Sequence, residues 1–413
     1  MFNKFLPKGK KLYINDRHEE ANTDKEDRRK LYDKRILPFL KEGDNVVFGE
    51  LIDNFLWDYY RNLGLAKIKP ENIFYVPNYL DYSSLTKAVL NNDLLIKKIK
   101  QKKISQLVPY IESYDSQFLS QKINSKILRE ASFLDWINNK SNYRQVIKSL
   151  EFPCIPGLTV SNFEEAKRAF RFLRENGFKE IILKKERSVA GFGNFILNTE
   201  KELEERFKKS FSDEKSFLLE GFIPNTEFTS NVQYWIESNR IVPVLISDQI
   251  LAKDRVSYQG SIFPSYLNRT PHLLEKIRNL SLDFCHYLQK QKCYGFVGID
   301  YIITKDKKVY STEANVRFNA STFNALLANK LFDSSDKIFW KSFGINNCFL
   351  SFKDLFNHFS DDFIIKKEQS GVFPTGIDLL QSLGEGQFMV MGRDFKEIDI
   401  LEKKFKKKVQ NEK

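Results

Sequence analysis

The stretch GIDYIITKDKKVYSTEANVRFN, residues 298–319, places acidic and amide side chains at one end of a predicted β-hairpin. Two runs rich in Ile, Val and Tyr flank a polar Lys-Asp-Lys-Lys turn, as is typical of hairpins. If the turn is centred between its Asp and the Lys that follows, Asp300 lies directly opposite Glu313. Because side chains alternate along a strand, Glu313 and Asn315 then share one face.

Two carboxylates on facing strands repel each other, which costs stability unless a positive charge lies between them. Carboxylate and amide oxygens are hard ligands that suit Mg²⁺ or Mn²⁺ better than zinc. Mg²⁺ commonly fills the rest of its coordination shell with substrate phosphates. The hairpin therefore predicts a metal site that faces a nucleotide, with Asp300, Glu313 and Asn315 at its centre. The alternative is a pair of solvated strand-end acids neutralised by nearby lysines.

A glycine loop between two predicted strands lies in EIILKKERSVAGFGNFIL, residues 180–197. The first strand ends in Lys184-Lys185, and the loop contains Gly191 and Gly193. The backbone N–H groups of such a loop can fold over phosphates while a strand lysine supplies positive charge. The alternative is a flexible hairpin without a ligand.

A strand that breaks at a proline lies in FLLEGFIPNTEFT, residues 217–229. The backbone just before the proline is predicted to be free to bond the edge of an adenine. Its residues are Glu220, Gly221, Phe222 and Ile223. Glu227, a little further on, could accept hydrogen bonds from ribose hydroxyls. The alternative is a linker between domains with incidental acids.

The patterns around these motifs indicate how the chain is organised. From Asn45 to about residue 113, short apolar strands alternate with helices, which predicts a small parallel α/β unit. No GxGxxG or GxxxxGK[ST] motif follows its strands, so a recognised phosphate fingerprint is missing. Residues 1–44 are charged and irregular, with a helix predicted near 24–41. Residues 345–413 form a tail with two predicted strands and a basic helix.

The composition indicates a globular protein of 413 residues, long enough for two or three domains. No apolar run approaches the ~20 residues of a membrane span, and the N-terminus lacks a secretory signal. The four cysteines have no CxxC spacing, so we expect reduced thiols and a cytoplasmic location. The net charge is +12, but dense basic runs occur only at 95–103 and 402–408. We therefore do not expect nucleic-acid binding.

The three motifs, preceded by Asn-Ser-Lys at 124–126, resemble the ATP-grasp superfamily in their order and spacing. The resemblance covers roughly Lys126 to Phe323. It implies a fold of mixed α/β and α+β class, in which two α+β lobes grip ATP after a small Rossmann-like α/β domain. The predicted domains are an N-terminal extension (1–44), the α/β domain (45–120), the first lobe (121–225), the second lobe with the metal site (226–345) and a short C-terminal α+β extension (346–413).

The resemblance also implies roles for individual residues. Lys126 resembles the first phosphate-binding lysine of the superfamily and Lys184 the second, with Lys185 as the neighbour that could be confused with it. Arg317 stands where many members keep an arginine beside the γ-phosphate and the acyl phosphate. The remaining matches are Gly191 and Gly193 to the phosphate loop, Glu220 to Ile223 to the adenine hinge, Glu227 to the ribose acid, and Asp300, Glu313 and Asn315 to the metal ligands.

Within the superfamily, GFVGIDYII…YSTEANVRFNAST is most similar to peptide ligases of the pheganomycin type. The chain departs from them after Arg317, where Phe-Asn-Ala-Ser-Thr replaces a turn like Gly-Gly-Thr. D-Alanine–D-alanine ligases usually carry an arginine two residues before the metal aspartate. Gly298 occupies that position here, which argues against that subfamily.

The implied activity is an ATP-dependent carboxylate–amine ligase that uses Mg²⁺ or Mn²⁺ and joins amino acids or short peptides. The γ-phosphoryl group activates the carboxylate as an acyl phosphate, an amine attacks it, and ADP and phosphate leave. Lys184 and Arg317 would stabilise charge on the transferring group. A homodimer is compatible with the resemblance. The alternatives are another ATP-grasp chemistry, such as a carboxylase or a purine-type ligase, and a non-catalytic nucleotide-binding or nucleic-acid-binding protein.

The stretch DRVSYQGSIFPSYL, residues 254–267, is expected to border the carboxylate-substrate pocket. Arg255, Tyr258 and Ser261 are the residues that could grip that substrate. The alternative for each is a surface loop whose aromatic side chains pack on the lobe. The loop at 187–194 is expected to close and exclude water, because water would destroy an acyl phosphate.

Overall fold

The computed structural model of the chain describes residues 5, 8–16, 26–188, 191, 193–211, 214–333 and 338–411. The chain forms two compact units. Unit 1 consists of Met1–Ser132, Gly260–Pro264 and Arg317–Lys413, and unit 2 of Phe133–Gln259 and Ser265–Val316. No helix in the described ranges is long and apolar enough to cross a membrane.

The strands are β1 (Lys11–Ile14), β2 (Asn45–Phe48), β3 (Ile73–Tyr75), β4 (Gln106–Pro109), β5 (Gly157–Val160), β6 (Ile181–Lys185), β7 (Asn194–Leu197), β8 (Phe217–Gly221), β9 (Thr226–Ile236), β10 (Ile241–Leu251), β11 (Tyr258–Phe263), β12 (Gly295–Thr304), β13 (Val309–Asn315), β14 (Phe339–Ile345), β15 (Gly371–Gly376) and β16 (Gly386–Gly392).

The α-helices are α1 (Asn54–Asn62), α2 (Leu85–Leu90), α3 (Asp93–Gln101), α4 (Tyr114–Lys122), α5 (Ala131–Ile137), α6 (Lys140–Ser149), α7 (Phe163–Glu175), α8 (Glu200–Ser210), α9 (Pro271–Lys290), α10 (Ala320–Leu331), α11 (Phe352–His358), α12 (Leu380–Leu383) and α13 (Phe395–Asn411). The helix predicted near 24–41 is a 3₁₀ helix, Glu26–Phe39.

Unit 1 contains a parallel sheet in the order β3-β2-β1-β4, which confirms the predicted α/β unit. Its apolar strand residues, such as Leu12 and Val47, pack with helices α2 to α4 in one core. The prediction placed residues 1–44 in an irregular extension, whereas β1 lies in that segment and pairs with both β2 and β4. The strand is only four residues long, and its Lys-Leu-Tyr-Ile sequence shows no period from which a central strand could be recognised.

The C-terminal segment of the chain belongs to the same unit as the parallel sheet. Strands β14, β16 and β15 pair antiparallel, and helix α13 packs on β16. Tyr59 Oη donates a hydrogen bond to Ile364 O at 2.7 Å, and Tyr60 Oη donates one to Pro374 O at 3.0 Å. The Tyr60 ring stacks on Phe373 with a centroid distance of 5.3 Å. The tail is therefore held to helix α1 by buried aromatic and polar contacts.

Unit 2 contains two antiparallel sets of strands. One has the order β5-β8-β6-β7, and its apolar face packs against α7 and α8. The other runs β13-β12-β9-β10, with α9 packed on β9 and α6 packed on β13. Helix α7 begins after the N-cap Asn162, whose Oδ1 accepts a hydrogen bond from Glu165 N at 2.9 Å.

The β12–β13 hairpin pairs Asp300 with Glu313, as the sequence predicted. The turn itself is centred half a residue earlier than predicted, because Tyr301 pairs with Ser311. A β-bulge at Thr312 absorbs the difference and restores the expected register beyond it. The bulge therefore decides that the two acids face each other.

Removing the Tyr60 hydroxyl tests how the tail is attached. We expect Tyr60→Phe to lower the free energy of unfolding by about 1 kcal/mol, because Pro374 O loses its buried donor. Tyr114→Phe is the matched control, since Tyr114 is 62% exposed and should tolerate the change. Urea unfolding of both variants measures the difference, and equal midpoints would contradict the role given to this contact.

Candidate functional site

The acidic hairpin end forms a buried polar cluster in unit 2. Asp300 is buried and faces Glu313 across the ladder. Asn315 Nδ2 donates a hydrogen bond to Asp300 Oδ2 at 3.0 Å, and Asn231 Nδ2, from β9, donates to Oδ1 at 2.5 Å. Gln233 Nε2 in turn donates to Asn231 Oδ1 at 2.6 Å. The structure therefore brings the three predicted metal residues together and adds two amides that the sequence reasoning missed.

Burial, and then the negative charge of Glu313, raises the pKa of Asp300 to about 8. The hydrogen bond from Asn231 opposes this rise only in part. A bound cation would favour the ionised form of both acids. The described residues contain no group of three or more His, Cys, Asp or Glu arranged for a metal, so amide oxygens must complete the set. Two carboxylates with amide oxygens fit Mg²⁺ or Mn²⁺.

Lys140, which the sequence reasoning missed, lies beside this cluster. Its ammonium is buried, 3.4 Å from Glu313 Oε2, and donates to Ser188 Oγ at 3.1 Å. Lys140 is the first residue of helix α6, after the N-cap Asn139. A cation is unfavourable at a helix N-terminus, so its presence there is a signal that the sequence did offer.

Lys184 and Lys185 point to different partners. Lys184 Nζ lies 2.6 Å from Glu220 Oε2, and both side chains are buried. Arg144, also missed by the sequence reasoning, pairs with the other oxygen of Glu220. Lys185 Nζ instead lies 2.8 Å from Glu214 Oε1. Of the two strand lysines, Lys184 is therefore the one that meets the predicted hinge.

The hinge backbone is less free than predicted. Gly221 N donates to Pro156 O at 3.0 Å, and Phe222 N donates to Glu180 O at 2.9 Å. These bonds form because β8 is an inner strand, so that its end continues to pair with the segments beside it. The N–H of Ile223 has no hydrogen-bond acceptor within the described ranges and is the donor left for a ligand.

The two glycines of the predicted phosphate loop have left-handed backbones, and one of them lies close to a neighbouring turn. Gly191 and Gly193 have φ angles of 79° and 76°, which favour glycine. A Cβ on Gly191 would lie 2.0 Å from Val256 O, in the turn between β10 and β11. Residues 189, 190 and 192 of this loop lie outside the described residues. The predicted ribose acid, Glu227, pairs with Lys307 at 2.5 Å.

The three residues predicted to grip the carboxylate substrate lie in the turn after β10 and in β11, and this role stays a prediction. Arg255 donates to both oxygens of Glu180, at 2.5 and 3.1 Å, and its guanidinium lies 4.7 Å from the centre of the Phe222 ring. Tyr258 belongs to unit 2, whereas Ser261 is buried in unit 1, where its N–H donates to Ser342 Oγ at 2.8 Å. The guanidinium of Arg255 therefore binds residues at the hinge, because the turn between β10 and β11 places Arg255 beside Glu180 and Phe222.

Arg317 and Lys126 both belong to unit 1. Arg317 is buried, and its Nη1 donates to Tyr110 Oη at 3.1 Å and to Phe318 O at 2.9 Å. Lys126 extends the parallel sheet, since its N–H donates to Ser105 O at 3.0 Å and its carbonyl accepts from Leu107 N at 2.8 Å. Their phosphate-binding roles stay predictions.

The match to a family model decides what kind of domain surrounds this cluster. Residues 137–321 match the model described as an ATP-grasp domain. The chain contains an ATP-grasp domain. The matched range includes Lys140 and begins after Lys126. The sequence prediction of an ATP-grasp fold is therefore confirmed.

Other comparisons agree with the ATP-grasp domain. The chain is 26% identical over 144 residues to a D-alanine–D-alanine ligase of Thermosipho africanus (strain TCF52B), which covers 33% of this chain and 38% of that relative. Biotin carboxylase of Campylobacter jejuni is similar in structure, with a TM-score of 0.62, 15% identity, and 94% of this chain and 88% of that chain covered. An N5-carboxyaminoimidazole synthetase of Staphylococcus aureus complexed with ADP is also similar in structure. Its TM-score is 0.59, its sequence identity is 14%, and the match covers 98% of each chain. At these identities the structural matches show the fold.

The raised pKa of Asp300 predicts how metal binding depends on pH. Because a metal binds the ionised carboxylate, protons compete with it below a pKa of about 8. We expect the dissociation constant for Mn²⁺ to fall about tenfold per pH unit between roughly pH 6 and 7, and to level off above the pKa. Titration of Mn²⁺ followed by electron paramagnetic resonance measures this. A constant affinity over that range would contradict the cluster as the metal site.

A methyl group on Gly191 tests the contact with Val256. We expect Gly191→Ala to displace the turn between β10 and β11 and to weaken the binding of a non-hydrolysable ATP analogue at least tenfold. Gly177→Ala is the matched control, because Gly177 also has a positive φ, 89°, but nothing lies within 4 Å of its Cβ position. Both variants should lose about 1 kcal/mol of stability from the backbone, while only Gly191→Ala should lose affinity. Isothermal titration calorimetry distinguishes them, and equal affinities would refute the role of the contact.

Proposed function

We propose that this protein is an ATP-dependent carboxylate–amine ligase that forms an amide or peptide bond on amino acids or short peptides. The carboxylate is first activated as an acyl phosphate, and ADP and phosphate are released. The observation that carries the proposal is the pairing of the buried Asp300 with the half-buried Glu313, completed by Asn315, inside an ATP-grasp domain. Such a pair is costly without a cation and suits a metal that bridges phosphates.

Asp300, Glu313 and Asn315 would hold Mg²⁺ or Mn²⁺. The metal would neutralise charge on the phosphates of ATP during transfer of the γ-phosphoryl group. The chain's own residues provide position and positive charge, so no side-chain nucleophile is required. Consistent with this, the buried thiol of Cys285 has a pKa raised by burial, which makes it a poor nucleophile.

The cations of the site are paired with acids that a nucleotide could replace. Lys140 would turn from Glu313 to a phosphate oxygen once a metal neutralises that acid. Lys184 would do the same from Glu220, whose charge is still compensated by Arg144. Because both ammonium groups already lie within the site before the ligand arrives, phosphate binding requires only a change of their hydrogen-bond partner.

The adenine and the ribose of the nucleotide would bind to the hinge and to the residues next to it. The N–H of Ile223 would donate to the adenine edge, and the carbonyls of Gly221 and Phe222 are the nearby acceptors. Glu227 would exchange Lys307 for the ribose hydroxyls. Lys126, Gly191, Gly193 and Arg317 keep their proposed phosphate roles. Arg255, Tyr258 and Ser261 stay proposed contacts to the carboxylate substrate.

A second candidate function is another ATP-grasp chemistry, in which bicarbonate is the carboxylate that is activated. The structural similarity to biotin carboxylase and to N5-carboxyaminoimidazole synthetase over nearly the whole chain favours it. We prefer the ligase because the chain is similar in sequence to a D-alanine–D-alanine ligase, and the name of that relative describes the joining of two amino acids. For either chemistry we propose small-molecule substrates, a cytoplasmic location and homodimeric assembly as features to be tested, with no nucleic-acid or membrane partner.

The first experiment incubates the protein with MgATP and a pool of amino acids and short peptides, with and without bicarbonate. Nucleotide products and new masses are followed together. ADP, phosphate and a mass equal to two pool members less one water would establish the ligase. Turnover only with bicarbonate would favour the carboxylase, and AMP with pyrophosphate would contradict an acyl phosphate.

Neutralising one metal ligand tests the assigned metal site. We expect Glu313→Gln to lower the rate of ADP formation at least a hundredfold, because the cluster loses one of its two carboxylates. Glu204→Gln is the control, since Glu204 pairs with Lys208 on the exposed face of α8 and should keep the full rate. Thermal unfolding confirms that both variants are folded. Full turnover in folded Glu313→Gln would show that the metal assignment is wrong.

A further inference from the structure

Glu186 makes three hydrogen bonds to the first two residues of helix α6. It follows β6 directly and is buried. Its Oε2 accepts from Ser141 N at 3.0 Å, and its Oε1 accepts from Ser141 Oγ at 2.5 Å. Its backbone carbonyl accepts from Lys140 N at 3.3 Å. The loop after β6 is thus tied to the start of α6 through one residue.

Helix α6 does not need Glu186 in order to begin. The N-cap Asn139 accepts from Asn142 N through its own side chain at 3.0 Å. A single local cap of this kind is what most helices have. The helix is already capped, so the main effect of the buried Glu186 carboxylate is to hold the helix start to the segment that follows β6.

The hydroxyl of Ser141 extends this attachment to strand β5. Ser141 Oγ lies 2.5 Å from Thr159 Oγ1 while it donates to Glu186. Since Ser141 gives its proton to the carboxylate, Thr159 must be the donor in the other bond. The chain Thr159–Ser141–Glu186 therefore has one direction of donation, which fixes the position of Ser141 from two sides.

Lys140, next to Ser141, carries this positioning to the metal cluster. Its main chain is held by the carbonyl of Glu186, and its ammonium lies between Ser188 Oγ, at 3.1 Å, and Glu313 Oε2, at 3.4 Å. A lysine side chain is flexible, so the place of its ammonium depends on where its backbone is fixed. The negative charge of Glu186 at this helix end also offsets the unfavourable position of the lysine there.

We propose that Glu186 is a positioning residue of the nucleotide site, which acts through Lys140. It fixes the backbone of Lys140 relative to the loop that follows β6 and holds the ammonium beside the Asp300–Glu313 hairpin, from which it could reach a phosphate oxygen of the nucleotide. The inference rests on the proposed function only in that a nucleotide must bind. It goes beyond it in giving a role to a residue that need not touch the ligand.

The test combines nucleotide binding with amide hydrogen exchange. We expect Glu186→Ala to weaken the binding of a non-hydrolysable ATP analogue by tenfold to a hundredfold and to speed exchange at Lys140, Ser141 and residues 186–188. Glu186→Gln should recover part of the affinity, because its amide oxygen still accepts one of the two bonds from Ser141. Ser141→Ala, which leaves every charge in place, should weaken binding by a smaller factor and serves if Glu186→Ala does not fold.

Glu165→Ala is the matched control. Glu165 Oε2 accepts from Ser161 N at 2.8 Å at the start of α7, and the hydrogen bonds and ion pairs among the described residues do not link it to Lys140. This variant should bind the nucleotide with wild-type affinity. If removing any carboxylate from a helix N-terminus weakened nucleotide binding, both variants would lose affinity. If Glu186 acts by positioning Lys140, only Glu186→Ala loses affinity.

A double-mutant cycle with Lys140→Ala decides whether Glu186 acts through the lysine. In the Lys140→Ala background, Glu186→Ala should reduce affinity less than twofold, because the group that it positions is gone. Fully additive losses, or an unchanged affinity in Glu186→Ala, would overturn the inference while the proposed function stands. If the wild-type protein binds no nucleotide, the proposed function and this inference both fail.

Discussion

The repulsion between Asp300 and Glu313 is the constraint around which unit 2 is arranged. The two acids lie on adjacent strands; Asp300 is buried and Glu313 is only partly exposed, so water screens their repulsion only in part. The surrounding groups partly compensate the negative charge. The side-chain amides of Asn231 and Asn315 donate hydrogen bonds to Asp300, and the ammonium of Lys140 lies near Glu313. The proposed metal would supply the remaining positive charge, which would connect the hairpin to the chemistry of an ATP-grasp domain.

The same principle extends to the cations around the hinge. Lys184 pairs with Glu220, Lys307 with Glu227, and Arg255 with Glu180. The phosphates of the nucleotide would therefore bind by exchange, in which a phosphate replaces an internal acid as the partner of a lysine. Exchange of this kind keeps the charges compensated both before and after binding. It also limits the net gain in free energy, because each new contact replaces an old one.

Unit 1 shows how segments distant in sequence complete a sheet and its cover. Strand β1 comes from a stretch rich in lysine and yet lies between β2 and β4. The tail, which resembles a separate extension in sequence, packs its aromatic residues on Tyr59 and Tyr60 of α1. Local patterns cannot reveal either arrangement, because a four-residue strand has too few positions to show a period, and the partner of an aromatic side chain is set by the fold.

The sequence by itself determined the elements with strong periods or caps, such as α7 with Asn162, and the opposition of Asp300 and Glu313 across the hairpin. It determined these because a helix cap and a strand pair depend on neighbouring residues. The tertiary structure alone decided the rest: the burial that raises the pKa of Asp300, the place of Lys140 between Ser188 and Glu313, and the bonds that occupy the hinge N–H groups. These features depend on which distant segments of the chain come into contact. A contact between residues far apart in sequence produces no local period or spacing from which it could be predicted.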